Sequence, residues 1–401
     1  MTRDAAASTL EFGTEFKKLI KKYPISQKEL AEKFGIDETT FSKVLKGTRE
    51  SDFEKILAAV KYIATFSKKI KVEKLMLLYI RELRNYDNVK VAMEYCDTHN
   101  FLGQLQRLCE YFWSKAKESN ELKAWADLYY LSIQRKLGKI SLTDWYTKLK
   151  LMEIEPSCKE LEIYRSLRAL ENDNFNRNFV NISNDMLELK EIIAEVENTY
   201  LRFSFGVRLG EFLQTIYVRS GRFDEAEELA LQTLGFSIGK GFNAFATITL
   251  AERNIQDQFE IAVQYFKKAA DIYREMDRPE VVSEIVKKMH FVQLVHGVNV
   301  PMEELEHKQN IAFKYILSGN TAEGLTLLEQ VEDEEDYQEP LRDYMRGLAT
   351  GDREFYWKSL SELIEQNDKL YGFFPMQALL RLGESETGVK GLYNIHKAES
   401  R

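Results

Sequence analysis

The chain has 401 residues, of which 44% are hydrophobic and 30% are charged, so it can hold two or three domains with sizeable cores. Its net charge of −8 argues against a surface that binds nucleic acid throughout, and Cys96, Cys109 and Cys158 lack the spacing of a metal site. No signal peptide or apolar run long enough to span a bilayer is present, so we expect a cytoplasmic protein with no membrane partner.

The first periodic segment is an amphipathic helix that precedes the most specific motif in the chain. Phe12, Phe16, Leu19 and Ile20 recur with helical spacing, and Pro24 marks the end of the helix. Such a helix buries one face and leaves the other in solvent, so we expect it to pack against the elements that follow.

Residues 25–45, ISQKELAEKFGIDETTFSKVL, have the pattern of a helix-turn-helix. Ser26 and Glu29 predict a capping box at the start of the first helix. Gly35 stands where the turn requires a residue that tolerates positive φ, and Asp37 can cap the second helix. The positions that resemble the lambda-repressor-like family of DNA-binding domains are Ala31, Gly35, Ile36, Phe41 and Val44. The stretch therefore predicts a module that reads DNA.

Charge is distributed unevenly along the chain. Residues 15–72 contain 14 basic and 8 acidic residues, although the chain as a whole is acidic. Another amphipathic helix over 52–66 is followed by a lysine-rich hinge at 67–71. We therefore expect a DNA-binding domain at 1–70 and a body at 71–401. A basic head fits DNA binding because neutralised phosphates supply most of the non-specific affinity.

The second helix of the motif and its flanks supply the side chains that we expect to contact DNA. The start of this helix enters the major groove, where hydroxyl and amino groups bond base edges. Polar and basic residues at the start of the first helix and in the turn after the second can hold phosphates. The predicted DNA-binding residues are Gln27, Glu38, Thr39, Thr40, Ser42, Lys43, Lys46, Thr48 and Arg49. Because one copy of the motif reads few base pairs, we expect a homodimer on double-stranded operator DNA.

Beyond the head, helical patterns continue and strand signals are scarce. Four segments share a turn, then a small or aromatic residue five positions later, then an apolar helix face. They begin at Gly221, Asp257, Gly319 and Gly351, with spacings of 36, 62 and 32 residues. These spacings approximate one or two periods of a tetratricopeptide repeat, roughly 34 residues. We predict an all-α fold in which the helix-turn-helix domain precedes a tetratricopeptide-like superhelical solenoid; a non-repeating helical bundle is the alternative.

Catalytic and metal-binding patterns are weak. The histidines are scattered, and His290 and His296 lie six residues apart, which is not the spacing of two ligands on one helix face. The stretch GFSIGKG at 235–241 lacks the spacing of a phosphate loop. We therefore predict that the protein is not an enzyme and has neither a cofactor nor a metal.

A lambda-repressor-like head on a tetratricopeptide body resembles the RRNPP-type peptide pheromone receptors of Gram-positive bacteria, and within them the AimR-type arbitrium receptors of Bacillus phages. The resemblance is clearest over 345–386, MRGLATGDREFYWKSLSELIEQNDKLYGFFPMQALLRLGESE, and looser over 209–273. It implies a homodimeric transcription regulator that binds operator DNA without peptide. A re-imported signal peptide would bind in the repeat concavity and change that activity, and the output would be the choice between lysis and lysogeny.

The same resemblance implies that Asp368 lies in the peptide pocket, where its carboxylate can pair with a basic group of the peptide. An extended peptide also needs amides to bond its backbone. The candidate peptide-binding residues are Asn174, Arg208, Glu211, Gln214, Asn243, Arg253, Gln293 and Asp368. An alternative function remains open: a repeat scaffold that binds and inhibits a protein partner, with a head that does not read DNA.

Overall fold

The computed structural model of the chain is helical throughout the part that it describes. Every regular element in that part is an α-helix or a short 3₁₀ turn, which confirms the predicted all-α class. The described residues are 11–117, 119–155, 158–175, 182–236, 238–335 and 340–394, with side chains at 171–185 and 332–335 outside the description. No helix in these ranges is long and apolar enough to cross a membrane.

Helices follow one another along the described chain with short turns between them. Up to residue 155 they are α1 (Glu11–Lys22), α2 (Gln27–Lys33), α3 (Glu38–Val44), α4 (Phe53–Ala64), α5 (Val72–Ile80), α6 (Tyr86–Thr98), α7 (Leu102–Lys115), α8 (Asn120–Lys136) and α9 (Leu142–Leu151). From residue 158 onward they are α10 (Lys159–Phe175), α11 (Ile182–Ala194), α12 (Thr199–Arg219), α13 (Phe223–Phe236), α14 (Lys240–Arg253), α15 (Phe259–Glu275), α16 (Pro279–Val295), α17 (Lys308–Leu317), α18 (Thr321–Glu335), α19 (Pro340–Thr350), α20 (Arg353–Glu365), α21 (Lys369–Arg381) and α22 (Glu386–Tyr393). A 3₁₀ turn, Met302–Glu304, separates α16 from α17.

The chain divides into two compact units. The first comprises Met1–Ala169 and Leu189–Phe205, and the second comprises Leu170–Glu188 and Gly206–Arg401. The predicted domain boundary at residue 70 lies inside the first unit. The assignment of DNA binding to the part before that boundary therefore stays a prediction.

Helices α2 and α3 form the predicted helix-turn-helix in the first unit. Ser26 Oγ accepts a hydrogen bond from the backbone N–H of Glu29 at 3.1 Å. In return, Glu29 Oε2 accepts one from the backbone N–H of Ser26 at 2.6 Å. The predicted capping box is therefore confirmed. Gly35 has a φ of +61° in the turn between the two helices, the left-handed conformation that the sequence predicts there.

The inner face of α3 packs against aromatic side chains of α1. The ring of Phe41 packs edge-on against Phe16 with centroids 6.0 Å apart, and Phe16 stacks on Phe12 at 5.3 Å. Phe41 and its neighbours Val44 and Leu45 are all buried. Because this face is held in the core, the opposite face of α3 is directed to solvent.

The second unit is built from consecutive helical hairpins, and the four repeat signatures lie at their buried crossings. Ala226, Ala262 and Tyr356 are each at most 5% exposed. At the fourth position, a Cβ on Gly324 would lie 2.6 Å from a side-chain carbon of Ile316, so only glycine permits the approach of α18 to α17. At Gly324 the small residue is therefore a packing requirement. The predicted solenoid-like helical repeat fold is confirmed.

Candidate functional site

Asp37 caps α3, as the sequence predicts. Its Oδ1 accepts a hydrogen bond from the backbone N–H of Thr40 at 2.8 Å. This bond lowers the pKa of Asp37 below its ordinary value, and the positive charge of Arg49 lowers the pKa further. The carboxylate is therefore ionised near neutral pH, and it stabilises the start of the helix that is predicted to read DNA.

The outer face of α3 presents polar side chains to solvent. Its exposed or half-buried residues, all predicted to contact DNA, are Glu38, Thr39, Thr40, Ser42 and Lys43. The apolar residues of α3, Phe41 and Val44, are buried, so no apolar side chain of α3 lies on the outer face. One residue of this face, Glu38, is an exposed acid that would oppose phosphate.

The turn after α3 folds back onto the helix. The backbone N–H and the hydroxyl of Thr48 both donate to the carbonyl oxygen of Lys43, at 3.0 and 3.2 Å. The neighbouring Lys46 and Arg49 are exposed, and Gln27 is half-buried at the start of α2. The turn is thus ordered by its own hydrogen bonds, and the DNA contacts of these residues stay predictions.

Three predicted peptide-binding residues, Arg208, Gln214 and Asn243, lie on α12 and α14 in the second unit. The guanidinium of Arg208 lies 5.7 Å from the ring centroid of Phe242. Gln214 is fully buried and its Nε2 donates to Thr233 Oγ1 at 3.2 Å. Within the described part of the chain, Gln214 Oε1 and Asn243 Oδ1 are buried without a hydrogen-bond partner. Such acceptors are rare in folded proteins and mark places where a donor is missing.

Glu211, one helical turn from Arg208, acts on the next helix pair. Burial raises the pKa of Tyr273 on α15 to about 12, and the negative charge of Glu211 adds to that increase. The two side chains are therefore within electrostatic range.

The remaining candidates on the helices of the second unit have different surroundings where the structure describes them. Arg253 is engaged in ion pairs, the shortest of them with Glu227 at 2.9 Å and another with Asp257 at 3.7 Å. Gln293 is half-buried on α16. The side chain of Asn174 lies outside the described residues. A ligand at Arg253 would therefore have to compete with its carboxylate partners.

Asp368 lies at a cavity of about 300 Å³ in the second unit. Its Oδ1 accepts the backbone N–H of Tyr371 at 3.2 Å, which makes it the N-cap of α21. Its Oδ2 accepts a charge-assisted hydrogen bond from Arg219 on α12. Apolar walls are provided by Phe291 and Leu363. The cavity therefore combines apolar walls with a fixed ion pair, a combination typical of small ligand sites.

Two amides in this cavity were missed by the sequence reasoning. Gln309 is 4% exposed and Asn310 is 1% exposed, and both line the cavity. Asn310 Nδ2 donates to the carbonyl oxygen of Lys287 at 2.9 Å. Gln309 Oε1 is a third buried acceptor for which the described residues provide no donor. The signal in the sequence is a pair of amides directly before the core residues of α17.

The helices described above place the chain among the all-helical repeat proteins that carry an N-terminal helix-turn-helix. The family model described as AimR transcriptional regulator-like matches residues 72–381. The chain therefore belongs to the AimR family of transcriptional regulators, as the resemblance in its C-terminal part had indicated. The match covers the body of the chain and ends at the last residue of α21.

The matched relatives are distant in sequence, and the two matched structures share the fold of the chain. The chain is 25% identical over 207 residues to an uncharacterised protein of Bacillus anthracis, covering 50% of this chain and 76% of that protein. It is 19% identical over 304 residues to the AimR transcriptional regulator of Bacillus phage SPbeta, covering 74% of this chain and 76% of the relative. The solved structure of SeMet-phAimR matches with a TM-score of 0.66 at 16% identity, over 96% of this chain and 100% of that chain. The structure of phAimR-Ligand matches with a TM-score of 0.62 at 18% identity, over 82% and 97%.

Proposed function

We propose that the chain is a peptide-responsive, DNA-binding transcription regulator and that it serves as an arbitrium signal receptor in the choice between phage lysis and lysogeny. One observation carries this proposal. A chain of the AimR regulator family bears a capped helix-turn-helix whose second helix keeps its polar face exposed. Since such a protein acts on operator DNA, its place is the cytoplasm of a bacterial host.

DNA recognition would use α3 in the major groove. Lys43, Lys46 and Arg49 supply three exposed cations within seven residues, and they would neutralise phosphate or bond guanine. The hydroxyls of Thr39 and Ser42 can bond several base edges. Because this surface is small, two copies in a homodimer would read two half-sites of one operator.

Peptide recognition would use the second unit. The cavity at Asp368 offers a buried amide oxygen on Gln309 that lacks a donor, and an extended peptide presents N–H donors along its backbone. Asp368 already binds Arg219, so a basic peptide side chain would share or replace that partner. The ligand-bound state of a structural neighbour, phAimR-Ligand, is consistent with a ligand in a protein of this fold.

The gating of DNA binding by peptide is tested by titration. A duplex library is first enriched for sequences that the protein retains, and operator affinity is then measured with and without the peptide encoded by a short reading frame next to the gene. We expect the affinity to change at saturating peptide, because a ligand that binds one conformation better shifts the population towards it. An affinity that stays constant while the peptide demonstrably binds would contradict the gating.

The reading face is tested by two substitutions. Lys43→Ala and Arg49→Ala should each weaken DNA binding, and each should reduce the salt dependence of log K by about one if the residue contacts phosphate. Lys18→Ala is the matched control, because Lys18 is an exposed lysine of α1 paired with Glu15 at 2.7 Å. If neither substitution weakens binding, the head is not a DNA reader, and a repeat scaffold that binds a protein partner becomes the better account.

A further inference from the structure

The segment that joins α3 to α4 is attached to α6 by side-chain hydrogen bonds. We call residues 49–53 the connector. It begins at Arg49, which belongs to the proposed DNA interface, and ends at Phe53, the first residue of α4. The connector and α6 both lie in the first unit. The attachment of the connector therefore restricts how far α2 and α3 can move relative to α6.

Glu50 binds the connector to the start of α6. Its carboxylate accepts hydrogen bonds from the backbone N–H groups of Arg84 and Asn85, the latter at 3.1 Å. It also accepts one from Asn88 Nδ2 at 3.1 Å. These donors lie at the N-terminal end of a helix, where the helix dipole favours a negative charge. One carboxylate thus makes three contacts with α6 and the turn before it.

Asn88 and Tyr79 hold the backbone of the connector. Asn88 Nδ2 donates to the carbonyl oxygen of Ser51 at 3.0 Å, and its Oδ1 accepts the backbone N–H of Phe53 at 3.0 Å. The hydroxyl of Tyr79 on α5 donates to the carbonyl oxygen of Ser51 at 2.7 Å and accepts its N–H at 3.2 Å. The backbone groups of Ser51 and Phe53 are therefore paired with side chains from beyond the predicted hinge.

The end of the connector is also part of a buried aromatic cluster. Phe53 has no exposed surface, and its ring centroid lies 5.5 Å from Tyr95 and 6.0 Å from Tyr200. Aromatic pairs at these distances stabilise their mutual orientation. Hydrogen bonds and aromatic packing thus join the connector, which precedes the predicted hinge at 67–71, to helices that follow it. These contacts oppose a rotation of residues 11–66 about the hinge.

We propose that Glu50 and Asn88 are positioning residues for DNA binding, which hold the connector and thereby fix Arg49 and the end of α3 relative to α6. The inference rests on the proposed DNA-binding function. A cationic side chain on a fixed segment loses less conformational entropy on contact with phosphate than the same side chain on a free loop. Removal of the attachment should therefore weaken DNA binding without any change to a residue that touches DNA.

The test compares two asparagines at the start of one helix. Asn88→Ala removes all three hydrogen bonds between the Asn88 side chain and the connector, which involve Glu50, Ser51 and Phe53. Asn85→Ala is the control, because Asn85 Oδ1 caps the same helix through the backbone N–H of Asn88 at 3.0 Å and its side chain makes no bond to the connector. We expect both variants to lose a few degrees in melting temperature. The pair therefore separates positioning from general destabilisation.

The first measurement needs no DNA. Spin labels at Glu32→Cys on α2 and Glu110→Cys on α7 report the distance between the head and α7, and the three natural cysteines are buried. We expect a narrow distance distribution in the otherwise unmodified protein and in Asn85→Ala, and a broader one in Asn88→Ala. A distribution that is equally narrow in Asn88→Ala, or equally broad in all three proteins, would overturn the proposal.

The second measurement uses a fluorescently labelled random-sequence duplex at low salt. We expect Asn88→Ala to bind about fivefold more weakly than Asn85→Ala, with a shallower salt dependence because the contact from Arg49 is lost. Equal affinity of the two variants, combined with a broadened distance distribution, would show that the attachment does not position DNA contacts. If the unmodified protein binds no duplex, the proposed function fails, and no positioning role for DNA remains even where the distances confirm the attachment.

Discussion

Arg219 donates a charge-assisted hydrogen bond to Asp368 across 149 residues of sequence. Asp368 is 3% exposed, and its second carboxylate oxygen caps α21 through the N–H of Tyr371. One carboxylate therefore joins α12 to the start of α21 and forms part of the wall of the cavity. Because the proposed peptide site includes this wall, the ion pair links the stability of the second unit to the ligand site.

Asp368→Asn should destabilise the protein by about 2 kcal/mol. Asparagine retains the capping acceptor, so the loss comes mainly from the ion pair. Breaking a fully buried pair costs about 3–5 kcal/mol, and the estimate is lower here because the Arg219 side chain is 28% exposed and partly screened by solvent. Urea unfolding of the second unit measures the change.

Asp352→Asn is the control for this substitution. Asp352 caps α20 by accepting the backbone N–H of Glu354 at 2.9 Å, and it is exposed. We expect a loss well below that of Asp368→Asn. Equal losses in the two variants would mean that the negative charge at the helix start, and not the bond to Arg219, accounts for the loss.

Gln309→Met should leave the ligand-free protein as stable as before or more stable by up to about 1 kcal/mol. The reason is that a buried acceptor without a donor carries a desolvation cost that an apolar side chain of similar size avoids. The same substitution should weaken peptide binding if Gln309 Oε1 accepts a backbone N–H of the peptide. Calorimetric titration with the peptide and thermal unfolding without it measure the two effects.

Asn310→Leu provides the contrast on the same helix. Asn310 Nδ2 donates to the carbonyl oxygen of Lys287, so Asn310→Leu removes this hydrogen bond and should cost about 1 kcal/mol. A gain in stability from Gln309→Met together with unchanged peptide affinity would exclude Gln309 from the binding site.

Local features of the fold could be predicted because each depends on residues three or four apart. Ser26 and Glu29 cap α2 reciprocally, and Asp37 caps α3 through a residue three positions later. Gly35 has the predicted positive φ. The repeat helices could be predicted as well, because a small or aromatic residue recurs at the same place in each repeat, where two neighbouring helices cross.

Features that join distant parts of the chain could not be predicted in this way. Nothing near Asp368 in sequence indicates that Arg219 is its partner, because the pairing depends on how the hairpins stack. Gln309 occupies a position that periodicity assigns to the core, and its missing donor is visible only once its surroundings are known. The bonds of Asn88 to the connector likewise span more than 30 residues.

The free energy of unfolding should fall as the pH rises from about 4.5 to about 7, because Glu82 loses its proton in this range. Burial, assisted by the charge of Glu11, raises the pKa of Glu82 from 4.5 to about 7, although a hydrogen bond with the backbone of Phe12 opposes the increase. The folded state holds this proton more tightly than the unfolded state, so the stabilisation is complete below pH 4.5 and is lost as the pH passes 7. Since the group is partly exposed, we expect a loss on the order of 1 kcal/mol.

The pH effect is measured by denaturant unfolding of Glu82→Gln between pH 4 and pH 8. Glutamine does not titrate, so the variant should match the unmodified protein at pH 4 and exceed it in stability at pH 8. Glu110→Gln, at an exposed position on α7, serves as the control and should follow the unmodified protein throughout. A constant difference between Glu82→Gln and the unmodified protein across this range would contradict the assignment.

Asp37→Asn should strengthen DNA binding. Asparagine caps a helix about as well as aspartate, so α3 keeps its start. The substitution removes a negative charge that acts on Arg49, and this charge would also oppose phosphate next to the proposed interface. We expect a gain in affinity on the order of two- to fivefold at low salt, which shrinks as salt screens the charge.

Two further variants serve as controls for Asp37→Asn. Asp87 is an exposed acid of α6, so Asp87→Asn should leave affinity unchanged. Asp37→Ala should show a smaller gain because it also removes the cap. Weaker binding by Asp37→Asn, with α3 intact by amide exchange, would place Asp37 among the residues that bond the bases, as an acceptor for cytosine N4, and would reverse the role assigned to it here.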